Sequence, residues 1–268
     1  MIRLVALDLD GTLLGPDWRV SDIDKEAIAA ALERGVHIVI DTTRWYAVAL
    51  RTARRLELTA PMICHNGAHI KSPESAEDLL HLPIATEIAR EIASFCDERG
   101  WETYTTVNGI TYMRSRWEAQ IDPARLPEDM RVARTHAEHV TAPVTGILVF
   151  GEDAVQDVPA AFAQRYDGAL AFPVGWSEAQ TPYVTITVGG VDKGTGLRVV
   201  CERLGVPLED SMAVGDAQPD VDMFEVAGLG VAMGNAIDEV KAQADAVAPS
   251  NTEGGVAWAI RRYVLEES

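Results

Sequence analysis

The chain has 268 residues, of which 47% are hydrophobic, and its formal net charge is −18. These totals describe a globular protein with enough length for one large domain or two modest ones. Nucleic acids and anionic membranes are bound through basic surfaces, so this charge argues against both as partners. Any phosphate-binding site in so acidic a chain must be made locally positive by a few placed groups.

The three cysteines, Cys64, Cys96 and Cys201, have no paired spacing. The spacing therefore predicts neither a disulfide framework nor a zinc site. The N-terminus enters a strand pattern directly, without the features of a signal peptide, and no apolar run approaches the length of a membrane span. We expect a cytoplasmic protein, and the sequence leaves open whether it is a monomer or a homodimer.

The first predicted element is a buried strand that ends in two aspartates. Residues 2–9 are almost all aliphatic, and the segment closes with Asp8, Asp10 and Gly11. This pattern is typical of a parallel strand that is buried on both faces. Open α/β sheets bind ligands beyond the carboxyl ends of their strands. Because alternate residues of an extended segment face the same way, Asp8 and Asp10 can converge on one phosphate or one cation such as Mg²⁺.

An acidic pair on its own also has a purely structural interpretation, because aspartates often stabilise turns. A calcium loop of the EF-hand type is excluded by the spacing, which places the required glycine at Leu13 and the bidentate glutamate at Arg19. A functional role for the pair therefore depends on partners elsewhere in the chain.

A βαβ unit is predicted next. Ser21 is the predicted N-cap of a helix over residues 22–34, and a buried strand over residues 36–40 follows. A further helix is expected to end at Leu56, before a short strand over residues 61–64. Two polar segments follow these strands: Asp41-Thr42-Thr43-Arg44 and His65-Asn66-Gly67.

The sequence pattern changes near residue 84, where hairpin signals replace the βαβ pattern. The predicted elements there are one helix and four strands: Thr86–Arg99, and residues 102–107, 110–113, 144–150 and 183–188. Asn108-Gly109 between the first two strands is a strong β-hairpin signal. The pattern indicates an α+β unit with a mostly antiparallel sheet. The polar residues 114–142 have little periodicity and carry no prediction.

The βαβ pattern returns after Gly190. The predicted elements are a helix over Lys193–Leu204, a strand over residues 211–214, a helix ending at Val226, a strand over residues 229–233, and a helix with Asn235 as its N-cap. We predict that residues 1–83 and 190–268 form one doubly wound, Rossmann-like α/β core with a parallel sheet. Residues 84–189 are predicted to form an α+β cap domain that is inserted into this core.

Polar groups with complementary chemistry stand at the predicted strand ends and helix starts. They are Asp8, Asp10, Thr42, Lys193, Asp216 and Asp220. Each has a structural alternative, because Thr42 can cap a helix, Lys193 can be a solvent-exposed helix residue, and Asp216 can stabilise a turn. Together they form a coherent site for phosphoryl transfer.

In this interpretation Asp8 is the nucleophile and forms an aspartyl-phosphate. Asp10 protonates the leaving oxygen and later activates water. Mg²⁺ held by Asp8, Asp216 and the backbone of Asp10 neutralises the carboxylates. Thr42 and Lys193 donate hydrogen bonds to the charged phosphoryl oxygens.

These residues resemble the four motifs of the haloacid dehalogenase superfamily. The motifs are matched by Asp8-Leu9-Asp10-Gly11-Thr12, Thr42, Lys193-Gly194, and Gly215-Asp216 with Asp220. Residues 61–68 (PMICHNGA) and 230–236 (GVAMGNA) narrow the resemblance to the Cof-like phosphatases of subfamily IIB. In that subfamily a large α+β cap of the C2B type is inserted between motifs two and three. The resemblance covers the core in order, and in the cap it covers only architecture and position.

The resemblance implies an Mg²⁺-dependent phosphatase of small phosphorylated metabolites, often sugar phosphates. It implies that Asp8 is the nucleophile, that Asp10 is the acid/base, and that Thr42 and Lys193 bind phosphate. The metal ligands and their support are then Asp8, Asp10, Asp216 and Asp220. Further contacts to phosphate or substrate are expected from Leu9, Thr43, Arg44 and Asn66.

The sequence departs from the subfamily pattern at three positions. Thr43 stands where glycine is usual, and Asp41 precedes Thr42 where a small residue is usual. Pro219 replaces an asparagine whose amide usually helps to hold phosphate, a loss of about 1 kcal/mol in binding, and Gln218 is the adjacent candidate to replace it. Two alternatives to a phosphatase therefore stay open: a phosphotransferase or mutase of the same fold, and a catalytically weak protein that binds a phosphorylated ligand.

Overall fold

The computed structural model describes residues 1–115, 126–176 and 181–266. Its contacts divide the chain into two compact units. The core unit comprises Met1–Leu80 and Val191–Ser268, and the inserted unit comprises His81–Gly190. Within the described ranges, no helix has both the length and the apolar character that crossing a bilayer requires.

In the core unit most strands are followed by a helix, except that β3, β4 and β5 follow one another and form a separate sheet, whereas strands predominate in the inserted unit. The strands, in chain order, are β1 (Leu4–Leu7), β2 (His37–Ile40), β3 (Met62–Cys64), β4 (His69–Lys71), β5 (Asp78–His81), β6 (Glu102–Val107), β7 (Ile110–Arg114), β8 (Met130–Val132), β9 (Val144–Phe150), β10 (Leu170–Ala171), β11 (Val174–Trp176), β12 (Pro182–Val188), β13 (Ser211–Gly215), β14 (Leu229–Ala232) and β15 (Ala246–Val247). The α-helices are α1 (Asp22–Glu33), α2 (Tyr46–Arg55), α3 (Thr86–Arg99), α4 (Glu152–Phe162), α5 (Lys193–Leu204), α6 (Val221–Phe224), α7 (Asp238–Lys241) and α8 (Gly255–Tyr263).

The core unit is built on a parallel sheet with the strand order β15-β14-β13-β1-β2. Alternate residues of β1 pack into hydrophobic clusters on opposite faces of the sheet, Val5 and Leu7 on one and Leu4 and Ala6 on the other. Burial on both faces explains why this strand is aliphatic throughout. The predicted α/β core with a doubly wound parallel sheet is confirmed.

Side-chain caps fix where two helices of the core begin. The backbone N–H of Asp24 donates to the Ser21 hydroxyl oxygen at 3.2 Å, so the predicted N-cap of α1 is confirmed. The buried Asp24 carboxylate in turn accepts from the backbone N–H of Ala257 at 2.7 Å and ties α1 to α8. Asp192 caps α5 by accepting from the backbone N–H of Thr195 at 2.6 Å. This cap sets the position of Lys193 in the first turn of α5.

The carboxyl ends of the parallel strands bring polar residues to one edge of the sheet. Leu7 of β1 pairs with Ile40 of β2 and Val214 of β13. The next residues along each strand therefore lie side by side at this edge: Asp8, Asp41 and Gly215-Asp216. This register places groups that are about 200 residues apart in the chain within reach of one another.

The inserted unit contains a sheet with the order β10-β12-β9-β6-β7-β8, and β11 also pairs with β12. All pairings between its described strands are antiparallel except the parallel β7–β8 pair. The predicted hairpin is confirmed, and its turn has positive φ at both Asn108 (49°) and Gly109 (76°), as a type I′ turn requires. Side chains from α3 and α4 form a hydrophobic core with β9 and β12.

Several features of the fold differ from the sequence analysis, among them the separate sheet β3-β4-β5, of which only β3 was predicted. Asn235 does not cap a helix, because α7 begins three residues later with Ile237 at its N-cap. The Asn235 amide instead donates to the carbonyl oxygen of Gly11 at 2.8 Å. In the inserted unit, α4 was not predicted, because Pro159 interrupts its helical pattern.

The inserted unit carries an acid-sensitive group, His136, which is 0% exposed. Within the described part of the chain, its two ring nitrogens have no hydrogen-bond partner. Burial lowers the pKa of His136 to about 4, which Asp97 opposes and Arg114 and His139 reinforce. The unfolded imidazole, with a pKa of about 6.5, binds a proton more strongly. Stability that is present above pH 6.5 is therefore lost as the pH falls towards 4.

We expect wild type to lose about 2 kcal/mol more of its free energy of unfolding than His136→Leu between pH 7 and pH 5. Leucine removes the titrating ring without leaving a partner unpaired, so stability at pH 7 should be nearly unchanged. Urea unfolding at both pH values measures the difference. Equal losses in the two proteins would contradict this account.

Candidate active site

Lys193 is the centre of the site at the carboxyl edge of the core sheet. Its ammonium group donates to Asp8 Oδ1 at 2.6 Å, to Asp220 Oδ1 at 2.5 Å and to the main-chain oxygen of Asp41 at 2.9 Å. The side chain of Lys193 is only 1% exposed. All three ammonium hydrogens therefore have acceptors, as a buried charge requires.

Asp220 holds the loop that follows β13. Its Oδ2 accepts from the backbone N–H groups of Asp216 and Ala217, both at 2.8 Å, while its Oδ1 accepts from Lys193. Gly215 makes this arrangement possible, since a Cβ atom there would lie 2.4 Å from the Asp220 side chain. Because both of its oxygens are hydrogen-bonded, Asp220 links Lys193 to the loop that carries Asp216.

Asp216 lies against the loop that follows β1. The Thr12 hydroxyl donates to Asp216 Oδ1 at 2.8 Å. At Gly11, where φ is +82°, a Cβ atom would lie 2.3 Å from Asp216 Oδ2. The bare glycine therefore lets the carboxylate approach the backbone closely. One carboxylate oxygen from each of Asp8, Asp216 and Asp220 lies within 4.8 Å of the others.

The converging carboxylates carry more negative charge than Lys193 balances. Asp8, Asp216 and Asp220 with Lys193 sum to −2 when all are ionised. Burial and the Asp220 carboxylate raise the pKa of Asp216 to about 7, although Thr12 and Lys193 oppose this. Burial is also the largest cause of the raised pKa of Asp8. Against burial, the carboxylates of Asp220 and Asp8 keep the pKa of Lys193 above its usual value. One divalent cation would restore neutrality, so the donor set fits such an ion.

The side chain of Asp10 is held by Arg44. The guanidinium group donates from Nε to Asp10 Oδ2 and from Nη2 to Asp10 Oδ1, each at 2.5 Å. The ring of Trp18 lies 4.0 Å from the guanidinium carbon, a cation–π contact that steadies Arg44. Among the described residues, the group of converging carboxylates does not include the Asp10 side chain. Nothing in the sequence pattern had pointed to Trp18, which adopts a left-handed φ of 59°.

The loops after β2 and β3 complete this edge of the site. Thr42 is fully buried, and its hydroxyl oxygen accepts from the backbone N–H of Arg44 at 3.2 Å. Its backbone is tied to β3 and to the next loop by hydrogen bonds with Ile63 and Asn66. The buried Oδ1 of Asn66 has no hydrogen-bond partner in residues 1–115, 126–176 and 181–266, and φ is positive at residues 65, 66 and 67. A strained loop with an unused acceptor is a common feature of ligand sites.

The sequence analysis also singled out Leu9, Thr43 and Pro219. The Leu9 side chain is fully buried in the hydrophobic core, so only its main chain can face a ligand. Thr43 is 9% exposed. Pro219 lies in a 3₁₀ turn, Gln218–Asp220, directly before Asp220. The structure thus brings together Asp8, Lys193, Asp216 and Asp220, whereas the Asp10 side chain is hydrogen-bonded to Arg44.

Asp41 is a buried acid that contacts the Lys193 ammonium group through its main-chain oxygen. Its side chain is 0% exposed, and neither carboxylate oxygen has a hydrogen-bond partner among the residues that the structure describes. Burial raises the pKa of Asp41 well above its usual value, against the lowering effect of Lys193. The folded protein therefore retains a proton that the unfolded carboxyl releases near pH 3.9. The contribution of Asp41 to stability falls as the pH rises above that value.

Replacing this acid is expected to stabilise the protein. Asp41→Asn should raise the free energy of unfolding by about 1 kcal/mol or more at pH 8, because a neutral isostere has no ionisation to suppress. The difference should shrink as the pH falls to 4. Urea unfolding of both proteins across this range is the measurement, and a variant less stable than wild type at pH 8 would refute the prediction.

Comparison with known proteins gives the site its context. The sequence profile of the haloacid dehalogenase-like hydrolases matches residues 5–260. The chain is 29% identical over 269 residues to the Bacillus subtilis 5-amino-6-(5-phospho-D-ribitylamino)uracil phosphatase YitU, covering 97% of each chain. It is 31% identical over 274 residues to the Escherichia coli pyridoxal phosphate phosphatase YbhA, covering 98% of this chain and 99% of the other. A solved haloacid dehalogenase-like hydrolase from B. subtilis superposes with a TM-score of 0.82 at 26% identity, covering 98% of this chain and 100% of the other. The resemblance stated from the motifs is confirmed, and the chain belongs to the haloacid dehalogenase-like hydrolase family.

Proposed function

We propose that the protein is an Mg²⁺-dependent phosphomonoesterase that hydrolyses small phosphorylated metabolites through an aspartyl-phosphate on Asp8. The observation that carries the proposal is the buried cluster in which Lys193 joins Asp8 to Asp220, with Asp216 alongside. A carboxylate nucleophile, a fixed cation and a cation-binding edge are the groups that phosphoryl transfer requires. The relatives named as phosphatases support the same reaction.

The metal-binding residues in this proposal are the Asp8 and Asp216 carboxylates and the main-chain oxygen of Asp10. Mg²⁺ bound there would polarise the phosphoryl group and offset the negative charge of the cluster. Asp220 has both oxygens engaged with Lys193 and backbone N–H groups. Its role is to hold Lys193 and the Asp216 loop in place.

The protein groups divide the reaction into two steps. In the first, an Asp8 oxygen attacks phosphorus, the ester P–O bond breaks, and Asp10 gives a proton to the leaving oxygen. In the second, Asp10 takes a proton from a water molecule that attacks the phosphorus and releases Asp8. Arg44 donates one hydrogen bond to each oxygen of Asp10, and each oxygen keeps a second lone pair that can carry the proton. Lys193 and the Thr42 hydroxyl supply donors to the phosphoryl oxygens.

The inserted unit, His81–Gly190, is proposed to be a C2B-type cap that selects the leaving group. The substrate class is that of the named relatives, which are phosphatases of a phosphoribitylamino-uracil and of pyridoxal phosphate. Cys64, Cys96 and Cys201 are free and buried, which supports a location in the reducing cytoplasm.

Phosphate release from a panel of esters tests the proposal. Phosphorylated sugars, phosphoglycolate, nucleotides and pyridoxal phosphate are each incubated with the purified protein in Mg²⁺ or in EDTA. We expect inorganic phosphate from at least one ester, with Mg²⁺ only. Equal release in EDTA, or none from any ester, would contradict it. Adding an excess of acceptor alcohol separates the alternatives, since a phosphorylated alcohol as the main product indicates a phosphotransferase.

A further inference from the structure

Asn235 joins two of the loops that build the active site. Its Nδ2 donates to the main-chain oxygen of Gly11 at 2.8 Å and to Asp216 Oδ2 at 3.3 Å. Gly11 lies in the loop after β1, Asp216 follows β13, and Asn235 itself follows β14. One amide therefore connects the ends of three parallel strands at the edge where the carboxylates converge.

The orientation of this amide is fixed by a fourth loop. Asn235 Oδ1 accepts from the backbone N–H of Asn251 at 3.0 Å. A backbone N–H can only donate, so the oxygen must face Asn251 and the NH₂ group must face Gly11 and Asp216. The Asn251 side chain then donates to the main-chain oxygen of Leu14 at 3.1 Å. The two asparagines form a bridge that ties the C-terminal segment of the core to the loop after β1.

This bridge determines how the Asp216 carboxylate is presented. Thr12 holds Asp216 Oδ1 at 2.8 Å, and Asn235 holds Asp216 Oδ2 at 3.3 Å. With one donor on each oxygen, the carboxylate plane cannot rotate freely about its Cβ–Cγ bond. If the Asn235 donor were absent, only the Thr12 contact would restrain the plane. Groups that orient a ligating carboxylate in this way affect metal affinity strongly.

We propose that Asn235 is a positioning residue that orients Asp216 for a divalent cation. The inference rests on the proposed function, because it takes Asp216 as a metal ligand. Asn235 itself does not ligate the metal, since its oxygen is engaged by Asn251 and its nitrogen has no lone pair for coordination. Its contribution is to cation affinity, and the chemistry at Asp8 and Lys193 does not involve it.

The test is a calorimetric titration of the metal-free protein with Mg²⁺ alone. We expect the dissociation constant of Asn235→Ala to be about tenfold or more above that of wild type. Asn235→Leu, which is closer in volume, should behave alike, and both should fold because residue 235 is solvent-exposed. In steady-state assays the Mg²⁺ concentration for half-maximal rate should rise in proportion, with kcat at saturating Mg²⁺ within about twofold of wild type.

Gln243→Ala is the matched control, because it removes an exposed amide side chain from the same segment of the core. Its Mg²⁺ affinity should equal that of wild type. If both Asn235 variants bind Mg²⁺ within twofold of wild type, the positioning role is overturned while the proposed function stands. If wild type itself binds no Mg²⁺, the metal dependence of the proposed function fails, and the role of Asn235 fails with it.

Discussion

Replacing Lys193 with methionine is expected to lower the free energy of unfolding of the metal-free protein by about 3–5 kcal/mol at pH 7.5. Methionine preserves the length of the side chain but removes the charge. The Asp8 and Asp220 oxygens, which lie 2.6 and 2.5 Å from the ammonium group, then remain buried without a counter-ion. Urea unfolding in EDTA measures the loss. Phosphate release should fall as well, because the same ammonium group is a phosphate donor in the proposed mechanism.

A surface lysine provides the matched control for this variant. Lys25 pairs with Asp22 at 2.8 Å, but both side chains are exposed. Exposed pairs contribute little because water and salt screen them, so Lys25→Met should be nearly neutral in the same experiment. A loss below about 1 kcal/mol for Lys193→Met would mean that the carboxylates are neutral in the metal-free protein. The ion pairs at the centre of the site would then not be its structural basis.

The gathering of Asp8, Lys193 and Asp216 at one edge could be predicted from the sequence. Each follows a recognisable strand or begins a helix, and parallel strands in a doubly wound sheet all end at the same edge. Local patterns are sufficient for this, because aliphatic runs define the strands and residues such as Ser21 mark where helices begin.

The contacts of Asp10 and Asn235 could not be predicted in this way. The hydrogen bonds from Arg44 to Asp10 depend on side-chain rotamers and on a loop in which Trp18 adopts a left-handed backbone conformation. No periodicity encodes either. For Asn235, the local signal of an asparagine before acidic residues favoured a helix cap, but a tertiary contact with Gly11 prevailed. Both contacts are long-range hydrogen bonds between loops, which local sequence patterns do not predict.

Asp8→Asn is expected to reduce phosphate release by at least about 10³-fold, because the amide cannot serve as the nucleophile. The variant should fold, since asparagine is isosteric and removes one of three converging carboxylates. Steady-state release from the best ester of the panel gives the rate, and brief incubation with a ³²P-labelled ester shows whether label stays on the protein. Label should remain on wild type and be absent from Asp8→Asn.

The exposed Asp22→Asn variant controls for the loss of a carboxylate and should keep the wild-type rate, since Asp22 lies at the surface in the first turn of α1. If Asp8→Asn keeps more than a tenth of the wild-type rate, the covalent mechanism is wrong, even though the family assignment is unaffected. If wild type and variant are both inactive but bind the phosphorylated ligand equally, the chain is a binding protein. Pro219 and Thr43, which depart from the subfamily pattern, would then be the first positions to examine. The distinction rests on Asp8 because Lys193 and Asp216 would attract a phosphate and a cation in either case, whereas only a nucleophile at position 8 turns that attraction into bond cleavage.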